Sequence, residues 1–204
     1  PADQVLVVGD LPDPVAGLGE VLVRVRATGV NPSDVKLRAG ARPGAVMAYP
    51  RVVPHSDGAG EVVAVGAGVD PARIGARVWL WNAGWQRAFG SAAELIALPS
   101  QQAVDLPDGT SFAAGACLGI PATTGWYSVF SDGPVTGKTV LVTGGAGAVG
   151  RYACQMAALG GARVITTVSS AQKAAHAGVT DWINYCEADV ASAVMAPILT
   201  GNRM

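Results

Sequence analysis

Three glycines at fixed spacing, Gly145-x-Gly147-x-x-Gly150, have the residue types and order that bind phosphate. A β-branched apolar run, Thr139 to Thr143, leads into them. Val149, Ala153, Met156, Ala157 and Leu159 follow at helical spacing, up to Gly160-Gly161. Strand, glycine fingerprint and helix in that order predict a turn that cradles a dinucleotide pyrophosphate. Gly145 is expected to permit the tight bend, Gly147 to let backbone N–H groups approach the phosphates, and Gly150 to let helix and strand pack closely. Ala148, Val149 and Gly150 open the helix, where unpaired N–H groups and the positive dipole end favour an anion. The alternative is an ordinary glycine-rich turn that binds nothing, in a chain with 27 glycines.

The choice of dinucleotide is written about 20 residues further on, where an acidic side chain commonly bonds the ribose 2′-OH of NAD. Here the sequence is Val168-Ser-Ser-Ala-Gln-Lys173, without Asp or Glu. Ser169, Ser170 and Lys173 offer two hydroxyls and a cation, which suit a 2′-phosphate. NADPH is therefore expected over NADH. Ser169 or Ser170 could equally cap the next helix, with Lys173 as a solvated first-turn residue, and the two roles are compatible.

Other candidates carry competing readings. Asn31 precedes Pro32, and Gly40 closes a short apolar run, which predicts a helix with Asn31 as N-cap and Pro32 at its first position. Asp34 is expected to meet that helix's first-turn amides. His55 and Asp57 invite a metal reading, but catalytic zinc needs three protein ligands and an open position. No metal is expected. Trp79, Trp81 and Trp85 are expected mainly in the core. Trp85, in a loop, is the candidate for a flat wall against an aromatic substrate.

These residues need elements to hold them. Glu20 to Ala27 alternates apolar and charged, the period of a half-buried strand. Segments 60–66, 76–81 and 92–98 are further strands, and close Gly and Pro punctuation predicts a β-rich, barrel-like domain. From Ser111 the pattern turns helical. Then strand 139–143, helix 147–159, strand 163–168, helix 170–177, strand 182–184 and helix 187–199 predict a parallel sheet. The fold class is α/β with a β-rich domain.

At 204 residues the chain can form one large domain or two small ones. A net charge of −1 argues against nucleic acid or a membrane surface as the main partner. No apolar stretch nears the roughly 20 residues that span a bilayer. No secretory pattern opens the chain at Pro1, and Cys117, Cys154 and Cys186 are too few and scattered for a disulfide framework. A cytoplasmic protein with three buried structural thiols is expected.

Four blocks together resemble the zinc-independent quinone oxidoreductase (ζ-crystallin-like) family of the medium-chain dehydrogenase/reductase superfamily. They are Gly29-Val-Asn-Pro-Ser-Asp34, Pro54-His-Ser-Asp-Gly-Ala-Gly-Glu-Val-Val63 with Val65-Gly66, Gly119-Ile-Pro-Ala-Thr-Thr-Gly-Trp126, and Val140 to Gly150. The resemblance implies a GroES-like catalytic domain, residues 1–122, and a Rossmann NADPH-binding domain, residues 123–204. It places NADPH in the cleft between them and implies hydride transfer to a small-molecule quinone or a related enone. Enoyl or alkenal reduction, or a non-catalytic crystallin-like NADPH-binding role, are the alternatives.

By the same resemblance Asn31 faces the nicotinamide and substrate, Thr124 approaches the nicotinamide end, and Tyr185 packs near the adenosine 2′-phosphate. An amide donor at Asn31 could stabilise charge developing on the acceptor oxygen. Ser56 stands where zinc-dependent relatives have a His, so His55 is one place off. Lys36 replaces a Tyr that lies near the substrate in some relatives. The segment between Lys173 and Ile183 looks about one turn short, which could displace Lys173. Against the family's length the chain is expected to be clipped at both ends, with an incomplete Rossmann sheet. The full-length protein is expected to be a homodimer.

Overall fold

The computed structural model describes residues 2–41, 43–44 and 46–200, the side chains of residues 2–3 and 196–200 excepted. The chain divides into two units, Pro1–Ile120 and Pro121–Met204.

Strands β1 (Glu20–Gly29), β2 (Asp57–Val65), β3 (Arg77–Leu80), β4 (Leu95–Pro99) and β5 (Ala103–Asp105) build the first unit. They form one antiparallel sheet in the order β4-β1-β2-β3-β5. Alternation turns Val21 and Val23 of β1, Val78 and Leu80 of β3, and Ile96 and Leu98 of β4 into one apolar core with Val62, Ala83 and Ala103. Each large side chain buried there contributes roughly 1.5–3 kcal/mol relative to exposure. Helices α1 (Ala2–Val5), α2 (Pro32–Arg38) and α3 (Phe112–Gly115) are short. Helix α2 buries no residue.

Helix α4 (Gly119–Phe130) opens at the end of the first unit. The second unit continues with β6 (Thr139–Val142), α5 (Ala148–Leu159), β7 (Arg163–Val168), α6 (Ala171–Ala177), β8 (Asp181–Asn184) and α7 (Val190–Thr200). The strands pair in parallel, in the order β6-β7-β8. Val142, Val164, Ala153, Cys154 and Ala157 bring the sheet and α5 into one core with Val129 and Val135.

Several expectations need correction. Strand β6 is not fully buried: only Val142 is inside, and Leu141 is 41 % exposed. Among the described residues β6 pairs with β7 alone, whereas central β7 is buried along five of its six residues. The tryptophans are not in the core cluster. Trp79 lies opposite the inward face that Val78 and Leu80 occupy on β3, and Trp85 is exposed. Of the three thiols only Cys154 is buried; Cys117 and Cys186 are exposed.

Candidate functional site

Strand β6 leads into a turn whose left-handed residue is Gly144, at φ +68°, and not Gly145 as the spacing suggested. Gly145 is required for a different reason. A Cβ there would stand 2.0 Å from Thr166 Oγ1 and 3.0 Å from Cys154 Sγ. Thr166 is fully buried in β7 and donates to the Val142 carbonyl at 2.7 Å, so it has no room to move. Gly150 is held against the turn itself: a Cβ there would stand 2.3 Å from the Gly144 carbonyl oxygen. Gly147 is the N-cap of α5, and its N–H closes the turn onto the Gly144 carbonyl at 2.9 Å. The first bond back into the helix is Arg151 N–H to the Gly147 carbonyl at 2.8 Å. Ala148, Val149 and Gly150 therefore have no helical carbonyl ahead of them, which is the arrangement that receives an anion.

The end of β7 brings the next group together. Ser170 caps α6 by accepting the Lys173 N–H at 3.3 Å. Lys173 Nζ donates to Ser169 Oγ at 2.7 Å, and no carboxylate among the described residues pairs with this ammonium. Tyr185 follows β8 and donates its N–H to the Val168 carbonyl at 3.1 Å, beside Ser169. Its side chain is half exposed. After Lys173, Gly178 ends α6 at φ +71° and bonds back to Ala174 and Ala175. Thr124 is exposed on α4, next to Gly125, where a Cβ would stand 3.3 Å from the Val149 carbonyl oxygen on α5. A phosphate-ready turn, a cation and two hydroxyls thus lie at the carboxyl ends of β6 and β7, with no acidic side chain on Ser169 to Lys173.

In the first unit, Asn31 is 5 % exposed. It forms a capping box with Asp34, whose Oδ2 accepts the Asn31 N–H at 2.7 Å. Its amide Nδ2 donates to Asp57 Oδ2 at 2.8 Å. Asp57, 1 % exposed, also accepts the Ile120 N–H at 2.9 and 3.0 Å, so it holds the first turn of α4. Burial pushes the Asp57 carboxyl above the usual carboxylate range, more than its bonds from Asn31 and Ile120 pull it down. The Asn31 amide is thus part of a buried network.

A second polar network lies beside it. Thr28 Oγ1 is 3.1 Å from His55 Nδ1, 2.9 Å from Ser91 Oγ and 3.1 Å from the Asp57 carbonyl oxygen. Ser91 Oγ donates to that same carbonyl at 2.6 Å. Sequence spacing could not have found this group: Thr28, His55 and Ser91 meet only through the pairing of β1 with β2 and the return of the 82–91 loop. Trp85 stands in that loop, 58 % exposed, and Lys36 is exposed on α2. Among the described residues no three His, Cys, Asp or Glu side chains gather as a metal site. No described helix is long and apolar enough to cross a membrane.

Residues 17–108 match the alcohol dehydrogenase GroES-like domain family. Quinone oxidoreductase of Pseudomonas aeruginosa is 37% identical over 183 residues, 88% of this chain and 54% of that protein. Prostaglandin reductase-3 of Mus musculus is 34% identical over 171 residues, 81% of this chain and 42% of that protein. The quinone oxidoreductase structure of Pseudomonas syringae superposes with a TM-score of 0.79 at 34% identity, covering 97% of this chain and 59% of that one. A mycobacterial quinone oxidoreductase structure complexed with NADPH gives a TM-score of 0.75 at 36% identity, with 95% and 58% covered. The chain spans about half the length of the curated relatives it matches.

Proposed function

Because the chain belongs to the quinone oxidoreductase family of the medium-chain dehydrogenase/reductase superfamily, we propose that it serves NADPH-dependent reduction of a quinone by hydride transfer without metal. Residues 1–122 are the catalytic domain in this reading and residues 123–204 the NADPH-binding domain, in a cytoplasmic protein that forms a homodimer. The observation that carries the reading is the acid-free, anion-ready end of the parallel sheet. Ala148, Val149 and Gly150 would receive the pyrophosphate at the α5 N-terminus, with Gly145 and Gly147 shaping the turn. Ser169, Ser170 and Lys173 would hold the 2′-phosphate, and Tyr185 would flank it. Thr124 would meet the nicotinamide end. Bound NADPH supplies the hydride; the protein orients it and tunes charge. Asn31 and Trp85 are assigned to the acceptor, the first as amide donor and the second as an exposed aromatic wall.

Lys173 gives the direct test. NADPH should bind at least several-fold tighter than NADH in a fluorescence titration. Lys173→Glu exchanges attraction for repulsion at a 2′-phosphate and should cost NADPH about tenfold in affinity, narrowing or reversing the preference. Equal affinities of the unmodified protein for both cofactors would count against the assignment.

The metal-free part has its own check. Elemental analysis after dialysis should find well under one zinc ion per chain, and a chelator should leave turnover unchanged. A tightly held equivalent whose removal abolishes turnover would reverse that part. A second reading, reduction of an activated alkene, is supported by the likeness to prostaglandin reductase-3 and uses the same residues. The ranking of 1,4-benzoquinone against a small enone as acceptors distinguishes the two.

A further inference from the structure

Hydride transfer to an enone or quinone leaves negative charge on the acceptor oxygen, so a proton must follow. Asn31 is buried against Asp57 and has no acidic proton to give. His55 stands close by and is partly exposed. Its backbone is held at φ +75°, a left-handed conformation uncommon for any residue but glycine. Such strain persists only where surrounding contacts enforce it, and it concentrates at functional sites. The contacts here are specific. The His55 carbonyl accepts the Ser91 N–H at 3.0 Å, and a Cβ on Gly84 would stand 3.1 Å from that carbonyl oxygen. The loop that carries Trp85 therefore folds over His55 on one side. On the other, Asp57 holds Asn31.

The hydroxyl network fixes the imidazole. Ser91 gives its proton to the Asp57 carbonyl. Thr28 can give its own to that carbonyl or to Ser91 Oγ, which leaves Thr28 Oγ1 to accept from His55 Nδ1. In that arrangement Thr28 engages the Nδ1 side of the ring. Nε2 forms no hydrogen bond among the described residues, so its proton is the one free to leave.

We propose that His55 is the proton donor of the reduction, with Thr28 and Ser91 holding its tautomer; this rests on the oxidoreductase reading above. In the step, the hydride that bound NADPH would supply forms a C–H bond on an enone or an O–H bond on a quinone, so the acceptor gains the electron pair that the cofactor loses. The Nε2–H bond of the imidazolium breaks and an O–H bond forms on the resulting enolate or hydroquinone anion. Solvent returns a proton to the partly exposed ring.

The test is steady-state turnover of NADPH with a small enone by the protein and by His55→Gly and Thr28→Val. General acids contribute at least about 100-fold. A fall of kcat of that order in His55→Gly, partly restored by imidazole in the buffer, supports the assignment. Thr28→Val should lower kcat about tenfold, since it leaves the ring in place and removes the contact that orients it. NADPH affinity should be unchanged in both. Thermal unfolding supplies a second readout: His55→Gly should melt about 2–4 °C above His55→Ala, because only glycine relieves the strain. Retention of kcat within about threefold in His55→Gly would overturn the proposal, as would a loss that imidazole does not restore. An unmodified protein inert with every acceptor would overturn the oxidoreductase reading itself, and this proposal with it.

Discussion

Gly145→Ala is expected to lose at least about tenfold in NADPH affinity and to destabilise the second unit by roughly 2–3 kcal/mol. The added Cβ would meet Thr166 Oγ1 at 2.0 Å, and Thr166 cannot turn away without breaking its bond to the Val142 carbonyl. Either β7 shifts or the turn opens, and both displace the N–H groups at the start of α5. Gly147→Ala separates folding from binding. Its Cβ would meet only the Gly144 carbonyl oxygen, at 3.3 Å. Thermal unfolding of that variant should stay close to the parent while NADPH affinity falls, because in the proposed reading the methyl group would stand where a phosphate approaches the backbone. Thermal unfolding and fluorescence titration on both variants check the pair. A Gly145→Ala protein with parental melting temperature and affinity would show that the turn is not held against β7 as described.

The second large effect is expected at Asp57. Asp57→Ala leaves the Asn31 amide and the Ile120 N–H without their buried acceptor. The Asn31 amide loses its buried acceptor at a cost of about 1–3 kcal/mol and the lost bond to Ile120 adds about 1 kcal/mol, so a loss of about 2–4 kcal/mol is expected, or a fall in melting temperature of about 5–10 °C. Asp57→Asn keeps the shape and one acceptor oxygen and should lose less. The pH dependence has an unusual sign. The folded state raises this carboxyl's pKa above the ordinary 3.8, so between those two values the folded chain binds more protons than the unfolded one. The group's contribution to stability is greatest below 3.8, declines as pH rises to the folded value, and is flat above it. Asp57→Asn should lack that decline. Denaturant unfolding of both proteins across this interval measures it, and parallel curves would contradict the buried, raised carboxyl.

The alternation of Glu20 to Ala27 and the order β6-turn-α5-β7-α6-β8 were legible because period and glycine placement are local properties. Strand β2 starts at Asp57, three residues before the apolar pattern begins, because Gly58 and Gly60 hide the alternation. Strand β5, three residues long, offers too little pattern to recognise. The helical pattern from Ser111 does not mark where α4 starts, since Asp57, 63 residues from Ile120, supplies the acceptor for its first turn. Helix α7 starts at Val190 and not 187: Asp189 accepts the Ser192 N–H, while Glu187 and Ala188 form a turn on Asn184.

The candidate site divides along the same line. Ser169, Ser170 and Lys173 are sequence neighbours, and their grouping follows from helix capping. The partners of Asn31 and His55 come from two strands, a helix and a loop, so the family resemblance pointed to Asn31 while Thr28 and Ser91 went unnoticed. Gly144, and not Gly145, takes the left-handed turn, and a Gly-Gly pair in sequence does not say which glycine turns.

The most direct measurement is NADPH oxidation by the purified protein, followed at 340 nm with and without 1,4-benzoquinone and a small enone, and repeated with NADH. The account predicts oxidation that depends on the acceptor, runs several-fold faster with NADPH than with NADH, and survives chelation. No acceptor-dependent oxidation, or NADH used as well as NADPH, would contradict it.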